Sequence, residues 1–274
     1  MPTCYRHPSR ETAVSCANCG RPICPDCMTT TPVGMRCPEC SKQRTKVVHL
    51  REGKSIPPVT LALIVINAVV FLTEQGQLTL SGSGIYGRVI NEGFLFREAL
   101  ASPNNQYWRL ISSGFLHENL LHIGFNMYLL YMLGLMLEPA IGSVRFGLIY
   151  FTALLAGSFG VVFSTAGPSL GASGAVFGLM GAAVVELRAR GLSVQQSGIG
   201  GLIVINLVFS FLVPNISVGA HIGGLIGGFL AGLALRTADN RRVPALGMIA
   251  CVLLAAASVA GAIAVSGATG SGFA

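Results

Sequence analysis

The distribution of apolar positions divides this chain sharply. Residues 1–40 are polar and cysteine-rich, and residues 41–57 are basic. From residue 58 onward Leu, Ile, Val, Ala and Gly come in long blocks. Seven such blocks lie at roughly 58–74, 113–137, 145–165, 172–189, 198–213, 219–236 and 244–266. Each approaches the ~20 residues that a helix needs to cross the hydrocarbon of a bilayer. The pattern predicts an all-α polytopic membrane protein with a small separate segment in front. The fifth block is short, which predicts tilt or burial among neighbours. Residues 75–112 mix Gly, Ser, charges and aromatics. Their Phe94, Leu95, Phe96 and Trp108 predict a piece lying at the membrane interface; an ordinary surface loop is the other reading.

Composition agrees: of 274 residues, 52% are hydrophobic and 11% charged. The first residues, Met-Pro-Thr-Cys-Tyr-Arg, have no apolar core of the secretory-signal kind. A net charge of +7 raises nucleic acid as a partner, but the basic residues sit beside apolar blocks, where topology explains them. Arg6, Arg10, Arg21 and Arg36 make no dense patch, so nucleic acid is not the expected partner.

Charge also orients the spans. The linker carries Lys42, Arg44, Lys46, Arg51 and Lys54. With alternating spans, Arg145, Arg188, Arg190, Arg236, Arg241 and Arg242 fall on the same side as the linker. Arg88, Arg97 and Arg109 share the one long loop opposite. The positive-inside rule then places the N-terminus in the cytoplasm and the C-terminus outside. The linker can meet anionic lipid headgroups.

Two residues stand out within the apolar blocks. Ser173, in Gly171-Ala172-Ser173-Gly174, heads the fourth block, and His221, in Gly219-Ala220-His221-Ile222-Gly223-Gly224, opens the sixth. An ionisable residue in a span is functional by default, and a serine that can meet an imidazole suggests an activated nucleophile. Blocks two, four and six run in the same direction, so Ser173 and His221 share a depth near the outer face. Gly174, Gly178 and Gly181 in one block, and Gly223, Gly224, Gly227, Gly228 and Gly232 in the other, let two backbones approach closely. The second block adds His122 and Asn126, whose i,i+4 spacing puts both on one helix face. Both side chains are donors that could face a developing oxyanion, each worth roughly 2.7–4 kcal/mol in a dry site. The Ser173 backbone N–H, at a helix N-terminus, is a further donor. Glu186 and Glu138 lie at the inner ends of their blocks, so the expectation is a Ser–His dyad with no carboxylate third member.

A lone Ser in a span ordinarily bonds its own backbone, and a lone His at a helix start, His117 included, is often structural or interfacial. Glycine-rich helices alone mean close packing. The conjunction of GxSG, HxxGxxxG and HxxxN in three spans of one direction is what points to chemistry.

On Trp108-Arg109, His122-x-x-x-Asn126, Gly171-Ala172-Ser173-Gly174 and Ala220-His221-Ile222-Gly223-Gly224, the chain resembles the rhomboid family of intramembrane serine proteases over about residues 58–236. The resemblance implies a six-helix core whose site opens to water from the extracytoplasmic side. It implies Ser173 as nucleophile, His221 as base, and His122 and Asn126 as oxyanion-binding residues, with no cofactor at the site. It implies single-span membrane proteins as substrates, cut in or near the bilayer after small residues. The block 244–266 resembles the added C-terminal helix of the seven-helix subtype, a 6+1 arrangement with residues 237–274 as helix and tail. Many relatives carry Tyr four residues after the nucleophile; here Phe177 can still stack on the histidine but lacks the phenol. A catalytically silent relative that binds and retains membrane proteins is the alternative, although such relatives usually lack the Ser or the His. A transporter would show mid-membrane charges or broken helices and repeat symmetry, and neither is evident.

The first 40 residues carry seven of the eight cysteines. Cys4-x2-His7, Cys16-x2-Cys19, Cys24-x2-Cys27 and Cys37-x2-Cys40 are four paired-ligand knuckles, enough for two tetrahedral zinc ions. A cytoplasmic location keeps thiols reduced, which argues against a disulfide framework. With all eight positions supplied by protein, such zincs are structural and not catalytic. The segment resembles B-box-like or cross-brace zinc fingers, with knuckle pairing either interleaved or sequential. It is expected to bind a cytoplasmic protein or to tether the chain at the inner face. Cys251, in the seventh block, reads as an apolar filler.

Overall fold

A computed structural model describes residues 1–31, 34–42, 56–73, 88–101, 103–164, 167–213 and 216–268. Most of the basic linker and the first part of the 75–112 loop lie outside the described residues. The chain separates into two compact units, Met1–Lys54 and Ser55–Ala274.

The first unit has little regular structure. A short hairpin pairs β1 (Thr29–Thr31) antiparallel with β2 (Gly34–Arg36) and leads into α1 (Pro38–Lys42). Its core is made of cysteines around Ile23, too small to hold a fold by burial alone. Thr12 Oγ1 donates to the Ile23 carbonyl at 2.8 Å. Arg6 pairs with Glu39, and Arg10 with Asp26.

The second unit is helical. Its elements are α2 (Pro58–Thr73), the short α3 (Arg88–Gly93), α4 (Arg97–Leu100) and α5 (Arg109–Ser112), then α6 (Leu120–Ile141), α7 (Ser143–Phe163), α8 (Ser173–Ala189), α9 (Ile199–Leu212), α10 (Val218–Asn240) and α11 (Pro244–Ala268). Among the described residues α6, α7, α10 and α11 are long and apolar enough to cross a membrane, and α2 and α9 are shorter apolar helices. α8, at 17 residues, is buried along most of its length. Its Val176, Leu179, Met180 and Ala183 pack into the main core with Leu130 and Tyr150.

Several boundaries move from those the apolar pattern predicts. The second block begins at 113, but α6 starts only at Leu120, because Ser113–Phe115 form a 3-10 turn and Asn119 then caps the helix. α10 continues to Asn240; Asp239 in that last turn binds Arg145 of α7 through two hydrogen bonds of 2.7 and 2.8 Å. The short α9 is not buried among its neighbours. It buries only Ile199, Asn206 and Ser210 and exposes Val204, Ile205, Val208 and Phe211.

Glu138 shows how an acid lives inside this core. Its carboxylate accepts from the Val59 and Thr60 backbone N–H groups and from the Thr60 and Ser143 hydroxyls, at 2.7–2.9 Å. A carboxylate at the N-terminus of α2 satisfies orphan donors and meets the positive end of the helix dipole.

Candidate active site

Three helix N-termini converge at one end of the bundle. Asn119 accepts from the His122 backbone N–H at 2.9 Å and starts α6, which places His122 in the first turn. Ser217 accepts from the Ala220 N–H at 3.2 Å and starts α10 just before His221. α8 begins at Ser173 itself. Side-chain oxygens of Asn and Ser are favoured at such positions because they satisfy unpaired N–H groups.

Ser173 Oγ lies 2.7 Å from His221 Nε2. The Phe177 ring, one turn along α8, stacks on the imidazole with centroids 4.2 Å apart and planes 17° apart. His221 is buried, and Ser173 is half-buried.

The backbones that carry this pair touch because glycine removes what would separate them. A methyl group on Gly224 would fall on the Gly174 carbonyl, and one on Gly228 on the Gly178 carbonyl. Gly178 faces Ala153 and the Gly224 carbonyl. The neighbouring Gly223 and Gly227 face a different helix, where side chains would meet Ala156 of α7. The small-residue pattern of α10 therefore serves two seams one residue out of phase.

Gly171 has φ +120°, a backbone state that glycine alone adopts readily. Its N–H donates to the Ser113 carbonyl at 2.8 Å. A methyl here would lie 2.6 Å from His122 Nε2 and 3.8 Å from Ser173 Oγ, so the His122 ring stands across Gly171 from the serine. Asn126 is buried, and its Nδ2 donates to the His122 carbonyl at 2.9 Å. One of its two donors is thus spent within α6. His117, expected to be structural or interfacial, is fully buried with its ring edge-on to His122 at 5.0 Å.

Ser210 of α9 is a contact the sequence reading omitted. Its Oγ lies 2.5 Å from His221 Nδ1 and donates to the Asn206 carbonyl at 2.7 Å. The signal was present as Asn206 and Ser210 at i,i+4, the two buried polar side chains of an apolar helix. Nothing local connects them to a histidine eleven residues on.

Trp108-Arg109 does not line this site. Arg109 donates to the Phe94 carbonyl at 2.7 Å, to the Asn91 carbonyl at 3.2 Å and to Gln106 Oε1 at 2.6 Å, under the rings of Phe94 and Phe96. It clasps the segment holding α3 to α5. Leu95 of that segment is buried and exchanges two backbone hydrogen bonds with Ser169, at 2.9 and 2.8 Å. The loop is thereby tied to the strand of chain that leads to Ser173. Trp108 is 57% exposed.

In the first unit the knuckles pair first with third and second with fourth. Cys4, His7, Cys24 and Cys27 form one cluster, and Cys16, Cys19, Cys37 and Cys40 the other, each with its ligand atoms within 4.8 Å of one another. A tetrahedral zinc, with Zn–S of ~2.3 Å and Zn–N of ~2.0–2.1 Å, separates two sulfurs by ~3.8 Å and a sulfur from a nitrogen by ~3.6 Å. His7 Nδ1 lies 3.3, 3.4 and 3.9 Å from the sulfurs of Cys24, Cys27 and Cys4, and Cys19 Sγ lies 3.8 Å from Cys37 Sγ. The donor sets fit a zinc-sized ion. The Cys37 N–H donates to Cys16 Sγ at 3.3 Å and holds that thiol below its ordinary range, toward the thiolate a metal needs.

A multi-helix membrane fold carrying a hydrogen-bonded Ser–His pair at its helix N-termini defines the class. The rhomboid domain model matches residues 104–238. The chain is 35% identical to Rhomboid protease GluP of Bacillus subtilis (strain 168) over 197 residues, 71% of this chain and 38% of that protein. It is 32% identical to a second rhomboid relative, YdcA of the same organism, over 148 residues, 52% of this chain and 74% of that protein. It is also 37% identical over 131 residues to Inactive RHOMBOID-like protein 8 of Arabidopsis thaliana, 46% of this chain and 37% of that protein. The chain spans under half the length of most relatives it matches. It belongs to the rhomboid family and is a multi-pass membrane protein.

Proposed function

We propose that this chain is an intramembrane serine endopeptidase acting on membrane-anchored, single-span proteins. One observation carries the reading: the 2.7 Å contact between Ser173 Oγ and His221 Nε2, on two helices joined at glycine. Ser173 Oγ attacks the scissile carbonyl while its proton passes to His221 Nε2. His221 then gives that proton to the leaving amine, and an acyl-enzyme remains on Ser173. Water, deprotonated by the same nitrogen, hydrolyses the ester and restores the hydroxyl. The Ser173 backbone N–H, the His122 ring and the remaining Asn126 donor would hold the oxyanion.

Seven spans, with α11 added to a six-helix core of residues 58–236, accommodate this site near the extracytoplasmic face. The zinc unit and basic linker then lie in the cytoplasm, and a reporter fused after Ala274 should read as external. Two zinc ions, one held by Cys4, His7, Cys24 and Cys27 and one by Cys16, Cys19, Cys37 and Cys40, would cross-link the N-terminal unit, where a cytoplasmic partner protein could dock. No cofactor enters the peptide-bond chemistry.

The full-length protein in detergent or liposomes should label with a fluorophosphonate probe and cleave a model single-span substrate. Ser173→Ala should abolish both, and His221→Ala should reduce them to background. Cleavage at the wild-type rate by Ser173→Ala would overturn the proposal. Failure of the wild type to label would favour the silent, membrane-protein-retaining reading; one matched relative is named as inactive.

A further inference from the structure

We propose that Ser210 is a positioning residue for His221: it holds the imidazole in the Nδ1–H tautomer and thereby leaves Nε2 free to accept the Ser173 proton. The inference concerns the geometry of His221 and rests on the proposed dyad only for its effect on rate.

Hydrogen-bond bookkeeping forces the tautomer. A serine hydroxyl has one proton to donate and two lone pairs. Ser210 Oγ has two close polar partners, the Asn206 carbonyl at 2.7 Å and His221 Nδ1 at 2.5 Å. A carbonyl oxygen can only accept. If Ser210 gave its proton to Nδ1, its lone pairs would face the Asn206 oxygen at 2.7 Å with no proton between them. If it gives the proton to Asn206, both contacts are satisfied, because Nδ1–H then donates to Ser210 Oγ. Neutral imidazole carries one N–H, so Nε2 is left with its lone pair, facing Ser173 Oγ at 2.7 Å. The opposite tautomer would have Nε2 donate to Ser173, which blocks proton removal. Both serine contacts and the ring stack on Phe177 thus fix the imidazole at three points.

The placement on α9 is specific. The stripe that α9 buries, Ile199, Asn206 and Ser210, faces inward, while Val204, Ile205, Val208 and Phe211 are exposed. Asn206 Nδ2 donates in turn to the Leu202 carbonyl at 2.7 Å. The lightly packed α9 therefore reaches the candidate base through one hydroxyl, and no carboxylate is needed for the orienting role that Asp plays in a triad.

The test combines rate and spectroscopy. Ser210→Ala should lower kcat for a single-span substrate, and the rate of fluorophosphonate labelling, roughly 10–100-fold with KM little changed, less than the ~10⁴-fold of a triad carboxylate replaced by its amide. Ser210→Thr keeps the hydroxyl and should recover most of the rate. In ¹⁵N-histidine-labelled protein, with His221 assigned by its loss in His221→Gln, the wild type should show a protonated Nδ1 and an unprotonated Nε2. Ser210→Ala should shift the pair toward a tautomer mixture in protein that remains folded. Activity of Ser210→Ala within twofold of wild type, or a His221 signal that is Nε2–H in the wild type, overturns the inference. A wild type that shows the Nδ1–H signature but neither labels nor cleaves would sink the protease reading and leave the tautomer assignment standing.

Discussion

Three buried polar groups of this membrane unit are each held by several partners. Glu138 gathers four donors from two helices, Arg109 meets three acceptors, and His221 is engaged on both ring nitrogens. The cost of an unmatched group in such surroundings explains the matching. Glu138 makes the point testable. Gln in its place keeps the volume but turns an NH₂ toward N–H and O–H donors. Glu138→Gln should cost about 1–3 kcal/mol, the penalty of stranding a buried partner, read as a lower melting temperature in detergent. The Ser173–His221 contact was readable as two residues at a common depth. Ser210 was not, since a hydroxyl in an apolar helix declares its partner only once the helices are assembled.

At the scale of elements, the seam between α8 and α10 decides whether nucleophile and base meet. Gly224 and Gly228 set that distance, and Gly223 and Gly227 set the one to α7. A methyl at 228 collides with backbone, which cannot swing away as a side chain could. Gly228→Ala should therefore destabilise the bundle by roughly 1–3 kcal/mol or more and slow Ser173 labelling as well. Gly147→Ala, where a new methyl meets Val59 only at 3.9 Å, should change neither. Four-residue glycine spacing was visible in the chain, but two interleaved spacings share α10, and which serves which neighbour depends on the rotation of that helix. The ends of elements were less legible. α6 starts late because Asn119 caps it, and α10 runs on because Arg145 waits for Asp239.

The whole molecule joins two solutions to the problem of small or thin cores. The membrane unit relies on long apolar helices; the first unit relies on eight metal-type ligands. Interleaved pairing gives a sharp expectation. Purified protein should carry two zinc ions by elemental analysis. Cys24→Ser should lose one and leave the Cys16 cluster filled, whereas sequential pairing would put Cys24 with Cys37 and Cys40. Chelation should unfold the N-terminal unit, because ligand binding there is the folding free energy. That loss should show as proteolysis within residues 1–42.

The order and approximate extent of the apolar helices, the four knuckles and the candidate Ser and His all follow from residue type and spacing, which act within a few residues of each other. Which knuckle faces which, the inward turn of Ser210, the burial of His117 and the exposure of α9 depend on contacts between residues far apart in the chain. Those contacts are selected by packing and hydrogen-bond satisfaction summed over the assembled bundle, and no local window of sequence contains that sum.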